Sequence, residues 1–340
     1  IQGTVKVKNG GSLTIEAGSV ITAVLTDGSD ALLVENGGKL FLNGTAALPI
    51  VFTEASKTPG SWGGIIMVGD APIVGAKSVA TATTEDGNNL PYGGTNDTHN
   101  GGTLKYVRVE YAGKKLTDNT SEMNGFSFYS VGSGTVLENL VAYKGADDGF
   151  EFYGGTVSAK NLISYGNFDD SFDWQDGWRG DANTNWYAYQ VGTGNYGMEI
   201  EAKSINNAFR PKVSNITLTR AAGTVTEGGS SANEFDAIQF KKEGNGEYTN
   251  VVISGYTTSN TTLTATAVRI QDKSTNDNQV TGGKIKMLNV KINDGTSQFA
   301  GVGTTFTVDF KGNYTTSTTA TGATLTAGAW AIVDGVSLIK

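Results

Sequence analysis

The phrase Asp147-Asp148-Gly149-Phe150-Glu151-Phe152 returns as Asp169-Asp170-Ser171-Phe172-Asp173-Trp174, every position displaced by 22 residues. Leu137-Glu138-Asn139-Leu140-Val141 returns with the same displacement as Ala159-Lys160-Asn161-Leu162-Ile163. A fixed period of this size that carries a strand pattern specifies a solenoid, because each repeat can bury its apolar face only against its neighbours.

A shorter unit, two apolar residues flanking one other after a small residue, follows the repeat along the chain. It occurs as Phe126-Ser127-Phe128, Phe150-Glu151-Phe152, Phe172-Asp173-Trp174, Met198-Glu199-Ile200, Ile238-Gln239-Phe240 and Val268-Arg269-Ile270. Spacings of 22 to 26 residues read as bare coils, and spacings of 30 and 40 as coils carrying loop insertions. Alternating side chains point to opposite faces of a strand, so the apolar members face a core and Glu151, Asp173 and Glu199 face water. Half a period away stand Asn139, Asn161, Asn215, Asn250 and Asn289, each followed by apolar residues. They read either as an inward amide ladder between stacked coils or as residues that open strands after turns.

Weaker copies extend the pattern towards the N-terminus. Asn9-Gly10-Gly11-Ser12-Leu13-Thr14-Ile15 resembles Asn36-Gly37-Gly38-Lys39-Leu40-Phe41-Leu42, 27 residues later, and Leu104 to Tyr111 alternates as a further strand. Met198 to Lys212 is the one stretch that can pass for a helix, and its register favours a strand. The chain therefore reads as all-β and as one domain, 1–340: N-terminal coils and cap over 1–61, main coils with insertions over 62–300, and capping strands over 301–340. The Thr-rich stretch 304–326 and Ala329-Trp330-Ala331-Ile332-Val333 are expected to close the last coil, since an open coil end is an aggregation-prone edge.

Composition excludes several functions. Cysteine is absent, so there is no disulfide framework, thiolate metal site or cysteine nucleophile. The net charge is −8 and no Lys/Arg-rich block occurs, which argues against nucleic acid or an anionic membrane as partner. No apolar run approaches the roughly 20 residues of a transmembrane helix. No signal-peptide pattern stands at Ile1, so a processed form is expected, with any lipid anchor outside the given sequence. Oligomeric state is left open.

Trp62-Gly63-Gly64-Ile65-Ile66-Met67-Val68-Gly69-Asp70-Ala71-Pro72, the two Asp-Asp phrases, Gly155-Thr156-Val157 and Gly197-Met198-Glu199 together give a resemblance over roughly residues 62 to 201. The chain resembles the secreted or outer-membrane right-handed parallel β-helix proteins of Bacteroidota, which are pectate-lyase-like and of unassigned function. The resemblance implies a right-handed superhelix exported to the cell surface, among proteins linked to glycan or nutrient capture. It supplies no agreed catalytic residues. The resulting fold reading is a single-stranded right-handed parallel β-helix with about ten coils of about 22 residues and loop insertions.

Stacked strands lie about 4.8 Å apart, which sets Asp147 beside Asp169, Asp148 beside Asp170 and Glu151 beside Asp173. Carboxylates this close raise one another's pKa or recruit a cation, and calcium suits several flexible carboxylate oxygens. Asp147, Asp148, Asp169, Asp170 and Asp173 are accordingly the candidate metal ligands, with calcium the candidate cofactor. The alternative is that these residues cap turns through backbone amides. A catalytic reading takes Asp147, Asp148 and Asp170 as acids and Arg210 first among the bases, before Lys212, Arg179 and Arg269. Polygalacturonase-like hydrolases add a Gly-His-Gly segment that this chain lacks, since its one histidine, His99, sits in Asn96-Asp97-Thr98-His99-Asn100-Gly101-Gly102 and reads as a solvated loop residue. Pectate-lyase-like enzymes pair calcium with a basic residue, and Arg210-Pro211-Lys212 matches their Arg-x-Pro-x-x-Arg segment only in part.

Aromatic residues crowd Trp174, Trp178, Trp186, Tyr187, Tyr189 and Tyr196. Trp178 and Trp186, with Arg179, are the candidate ligand-binding residues: on a Gly-rich loop a Trp either packs back over the wall or stands exposed to stack on a sugar. The leading expectation is an exported protein that binds a polysaccharide or other extracellular ligand without cleaving it, with a cation-stabilised acidic face. A polysaccharide lyase or glycoside hydrolase acting on that face is one alternative, a structural or adhesive module another. An enzyme requires its carboxylates in an open groove, roughly 5 to 9.5 Å apart for glycosidase pairs.

Overall fold

The computed structural model describes residues 1–24, 30–74, 80–116, 122–203, 208–229, 233–259, 263–303 and 306–340. Every one of the apolar-x-apolar units is a strand, and all six lie side by side in one parallel sheet. The register is the one the period demands: Phe126 pairs with Phe150, Phe150 with Phe172, Phe172 with Met198, Met198 with Ile238, and Ile238 with Val268. With Thr4–Val7, Ala31–Val34 and Ile65–Val68 before them and Ser297–Gly301 after, they make a 10-stranded sheet. One strand per coil gives the expected ten coils.

A second parallel sheet wraps the other two faces. In the first two coils those faces are separate strands, Ser12–Ile15 with Val20–Ala23 and Lys39–Asn43 with Ile50–Glu54. The strand Gly102–Glu110 pairs with both members of the second coil, so from there on the two strands are fused. The fusion point is a single residue with left-handed backbone: Tyr106 at φ 52°, then Asn139 at 58°, Asn161 at 59°, Asn185 at 58°, Asn215 and Asn250 at 59° and Asn289 at 56°. Asparagine tolerates this conformation better than other side chains because its amide bonds locally. One residue therefore turns the strand through a corner with no loop.

The amides of the corner residues also bond along the stack. Asn161 donates to Asn139 at 2.9 Å, Asn185 to Asn161 at 3.0 Å, and Asn250 to Asn215 at 2.7 Å. The ladder is interrupted where Asn215 turns to the Thr184 hydroxyl at 3.1 Å, and it stops at Asn250, whose Oδ1 accepts from Thr321 N–H at 2.8 Å. It differs from the inward ladder expected: these side chains are half-buried or exposed at an outer corner. Asn185 escaped the sequence reading because Asn183-Thr184-Asn185 offers two asparagines for one position.

Inside, aromatic columns follow the axis. Phe126 stacks on Phe150 with centroids 5.0 Å apart and Phe150 on Phe172 at 5.7 Å, while Phe152 meets Trp178 at 4.6 Å and Trp186 at 5.8 Å. The entry to each core strand admits only a small residue. A Cβ on Gly149 would lie 2.6 Å from the Ser164 hydroxyl oxygen and 2.8 Å from the Ser171 carbonyl oxygen.

The C-terminal segment departs from expectation. After the strand Tyr314–Thr316 the chain turns back along the outside of the corner ladder instead of closing the last coil. Thr321 N–H donates to Asn250 Oδ1 at 2.8 Å, Ala323 N–H to Thr217 Oγ1 at 2.9 Å, and Thr324 N–H to Asn185 Oδ1 at 3.3 Å. Further on, Trp330 packs edge-on against Tyr106, and Arg108 donates to the carbonyls of Ala329, Trp330 and Ile332. The antiparallel pair Ile332–Val333 and Val336–Ser337 thus sits by the early coils, where Asp334 pairs with Lys57 at 2.7 Å. The strap covers Val141, Ile163 and Tyr187, outward side chains of three successive coils, and makes a second core with them. At the last coil, Phe306, Val308 and Phe310 pack against the main core. Thr304 and Thr305 lie outside the described residues.

Candidate functional site

The row begins in turns. Asp148 and Asp170 precede core strands, and each accepts the backbone N–H at the same position of the next coil: Asp170 N–H to Asp148 Oδ1 at 2.8 Å, Tyr196 N–H to Asp170 Oδ1 at 2.6 Å. The device recurs at Asp236, whose Oδ1 accepts from Thr266 N–H at 2.6 Å. Capping and side-by-side placement thus coexist, because a carboxylate that spends one oxygen on an amide still presents the other.

The outward residues of the ten-stranded sheet continue the row. Glu151 pairs in register with Asp173 and Asp173 with Glu199. The alternation put these three in water, and that expectation fails: Glu151 and Asp173 are buried, and Glu199 is only partly exposed. They are on the outer face as predicted, but inserted loops lie over it. Glu85 N–H donates to the Tyr129 hydroxyl at 3.3 Å, Lys203 pairs with Glu85 at 3.3 Å, and the Tyr92 hydroxyl donates to Asp176 at 2.5 Å.

Three triads result, each with one oxygen per residue within 4.8 Å of the others: Asp147, Asp148 and Asp169; Asp148, Glu151 and Asp173; Asp170, Asp173 and Glu199. The structure thereby brings together all five predicted metal ligands and adds Glu151 and Glu199, which the 22- to 26-residue register could have supplied. Two like charges about 4 Å apart near a protein surface repel by roughly 4 kcal/mol. A fully ionised triad would then offset most of the about 5–15 kcal/mol by which a domain is stable, so the row must hold protons or a cation.

The titration behaviour follows. Burial first, and then the charge of Asp169, holds the Asp147 and Asp148 carboxyls well above the usual range. Asp170 and Asp173 are raised likewise, by burial and then by Asp169 and Glu151 respectively. Glu151 is pushed up to about 8 by burial and Glu85, against hydrogen bonds from Tyr153 and Asn124. Asp169 is pushed up to about 7 by burial and Glu227. Relief comes from cations at the margins: Lys241 donates to Glu199, Lys115, near Asp147, pairs with Glu227 at 2.7 Å, and Lys203 acts through space on Glu151. Within the row two buried carboxylate oxygens, Asp147 Oδ2 and Asp173 Oδ1, have no hydrogen-bond partner; beside it Glu201 Oε2 has none either but pairs with Lys242 at 2.8 Å.

The other candidates fall elsewhere. Trp178 and Trp186 are not exposed platforms: both are buried in the aromatic interior, with indole N–H groups donating to the carbonyls of Val157 at 3.0 Å and Ala159 at 3.1 Å. Covering the coil buries far more apolar area than leaving a face for a ligand. Arg179 lies over the Phe209 ring at 3.4 Å rather than in a sugar cleft. Arg210 is exposed and is not among the cations that meet the acidic row. Arg269 is committed to Asp236, with both contacts at 2.9 Å. His99 is not solvated but 5 % exposed; its Nδ1 accepts from Gly132 N–H at 3.3 Å and its Nε2 has no partner.

The coil-after-coil arrangement agrees with the family comparison, in which residues 1–333 match the pectate-lyase-like β-helix domain. The chain belongs to that family. No curated protein and no solved structure matches it. Membership of the pectate-lyase-like β-helix family accounts for the coils and leaves the chemistry to the residues themselves. No helix among the described residues is long and apolar enough to cross a membrane.

Proposed function

We propose that this β-helix is an exported, surface-located protein that binds a glycan or other extracellular ligand without cleaving it, and that calcium held by the acidic row stiffens it. One observation carries the reading: most of the row is buried, with Asp147, Asp148, Asp170 and Glu151 between 2 and 6 % exposed and only Asp169 and Glu199 partly open to solvent. A lyase or hydrolase must admit a sugar ring between its acids, whereas oxygens of this row lie within 4.8 Å of one another, a separation suited to a shared ion. Calcium is favoured over a smaller ion because carboxylates on separate coils form a many-oxygen, adaptable cage.

The test is a panel of uronate-containing and neutral polysaccharides offered to the calcium-loaded protein, scored for retention and for new chain ends. Retention without new ends is expected. Cleavage of any member would overturn the non-catalytic reading, and failure to retain any would leave an adhesive or structural module. Fractionation of the native host's cells tests the location.

A further inference from the structure

Resting on that reading, we infer that the row is not one metal site but two, separated by a carboxylate that is already satisfied. Of the three triads, the middle one contains Glu151, and both of its oxygens are taken. Oε2 accepts from Asn124 at 2.6 Å and from the Tyr153 hydroxyl, while Oε1 accepts from Gln175 at 3.0 Å. With three donors on its roughly four acceptor positions, this carboxylate gains less from a cation than one with an oxygen left unbonded.

Neither of the outer two triads contains Glu151. Asp147, Asp148 and Asp169 form one, Asp170, Asp173 and Glu199 the other, and they share no residue. Each contains one of the row's two partnerless oxygens, Asp147 Oδ2 in the first and Asp173 Oδ1 in the second, and Asp173 is shared with the middle triad, where Glu151 is its neighbour. Asp147 is 2 % and Asp173 9 % exposed, so neither oxygen is served by bulk water. A buried carboxylate oxygen without a donor is costly, and a hard divalent cation beside it relieves that cost and the repulsion within its triad together. In Asp148, Asp169 and Asp170 the Oδ1 atom is held by a donor from the fold, Asp170 N–H, the Asn195 amide and Tyr196 N–H, which aims the carboxylate and leaves its second oxygen to the ion.

The two sites are unequal. Lys241 donates directly to Glu199 and approaches Glu201 at 3.5 Å, so one charge of the second triad is already neutralised. Lys115 reaches the first triad only through space and is itself held by Glu227 at 2.7 Å and Glu122 at 3.7 Å. The first triad is therefore the tighter site, and the second fills later.

The experiment is a calorimetric calcium titration of the chelator-treated full chain, with calcium per chain counted independently by atomic emission. Two ions are expected, in two steps of at least tenfold different affinity. Asp147→Asn should remove the tight step alone, Asp173→Asn the weak step alone, and Lys241→Met should tighten the weak step. A single ion abolished by either aspartate substitution would overturn the two-site inference while leaving the calcium reading intact. No binding, with a melting temperature indifferent to chelator, would overturn both. Each variant is first melted in chelator: an Asp→Asn change in a metal-free row removes repulsion, so a cooperative melt at or above the wild-type temperature verifies that it folds, while Lys241→Met, which removes a cation, need only melt cooperatively.

Discussion

Asp148 accepts the backbone N–H of Asp170 at 2.8 Å, so the residue that crowds its neighbour with charge also fastens that neighbour's coil. The two roles separate by substitution. Asparagine keeps the acceptor oxygen and removes the charge; alanine removes both. In chelator, Asp148→Asn should be as stable as wild type or more so, and Asp148→Ala should lose about 1–3 kcal/mol by leaving a buried amide unpaired. With calcium present, Asp148→Asn should fall below wild type because a ligand is gone. Urea unfolding in both buffers reads the reversal; identical rankings would mean that calcium never meets Asp148.

Burial holds the His99 imidazole below its ordinary value, with Lys39 acting in the same sense and Asp70 against it. The folded protein thus gives up a proton that the unfolded chain keeps. The contribution is intact above about pH 6.5, the unfolded value, and is lost as pH falls through the lower folded value. The stability difference between wild type and His99→Gln, measured in saturating calcium from pH 7.5 to 5, should shift against wild type as the pH drops. A difference independent of pH would show that the ring is hydrated.

Trp178 and Trp186 are interior residues, so their loss should register as stability, not affinity. Replacement of either by Ala is expected to cost about 3–5 kcal/mol. Retention on any glycan that binds wild type should be unchanged at temperatures where the variant is folded. A stable variant that no longer binds would return these rings to the surface.

Asn161 stands at φ 59° between amide partners on both sides. Ala there pays about 1–2 kcal/mol for left-handed backbone, plus about 0.5–1.5 kcal/mol for each net hydrogen bond lost. Gly restores the backbone but not the bonds, so Asn161→Gly should fall between wild type and Asn161→Ala in urea midpoint. Equal midpoints for the Ala and Gly variants would mean that the corner is not strained.

Ending the chain after Ser317 should uncover Val141, Ile163 and Tyr187 and detach the early coils from the late ones. Hydrogen exchange should then lose protection first over residues 31–54, and urea unfolding should split into two steps. One undiminished transition would show that the strap adds nothing.

Sequence legibility followed the period. The strands of the ten-stranded sheet could be read residue by residue because inward side chains must recur at every coil, and Phe150 over Phe172 is that rule made visible. The acidic neighbours were legible for the same reason. What escaped was every contact made by residues outside the repeat. Alternation assigns Glu151 to the outer face, but only the inserted loops decide whether that face is wet. His99 was misjudged on flanking turn residues, when its surroundings include Gly69 and Gly132 of other segments. The strap did leave a trace: Leu140-Val141-Ala142 and Asn161-Leu162-Ile163 abandon alternation, as strands covered on both faces do.

The strap also fixes an order of events. Coils can stack as the chain lengthens, each needing only the one before it, but the groups that hold Trp330 and Asp334 belong to Ala46, Lys57, Tyr106 and Arg108, far back in the chain. Contacts of such sequence separation close late. A nascent chain of this protein can wind its coils in order, yet Val141, Ile163 and Tyr187 stay uncovered until the strap that follows Ser317 has been synthesised, which makes the interval before its arrival a stage at which these coils are exposed to misassociation and proteolysis.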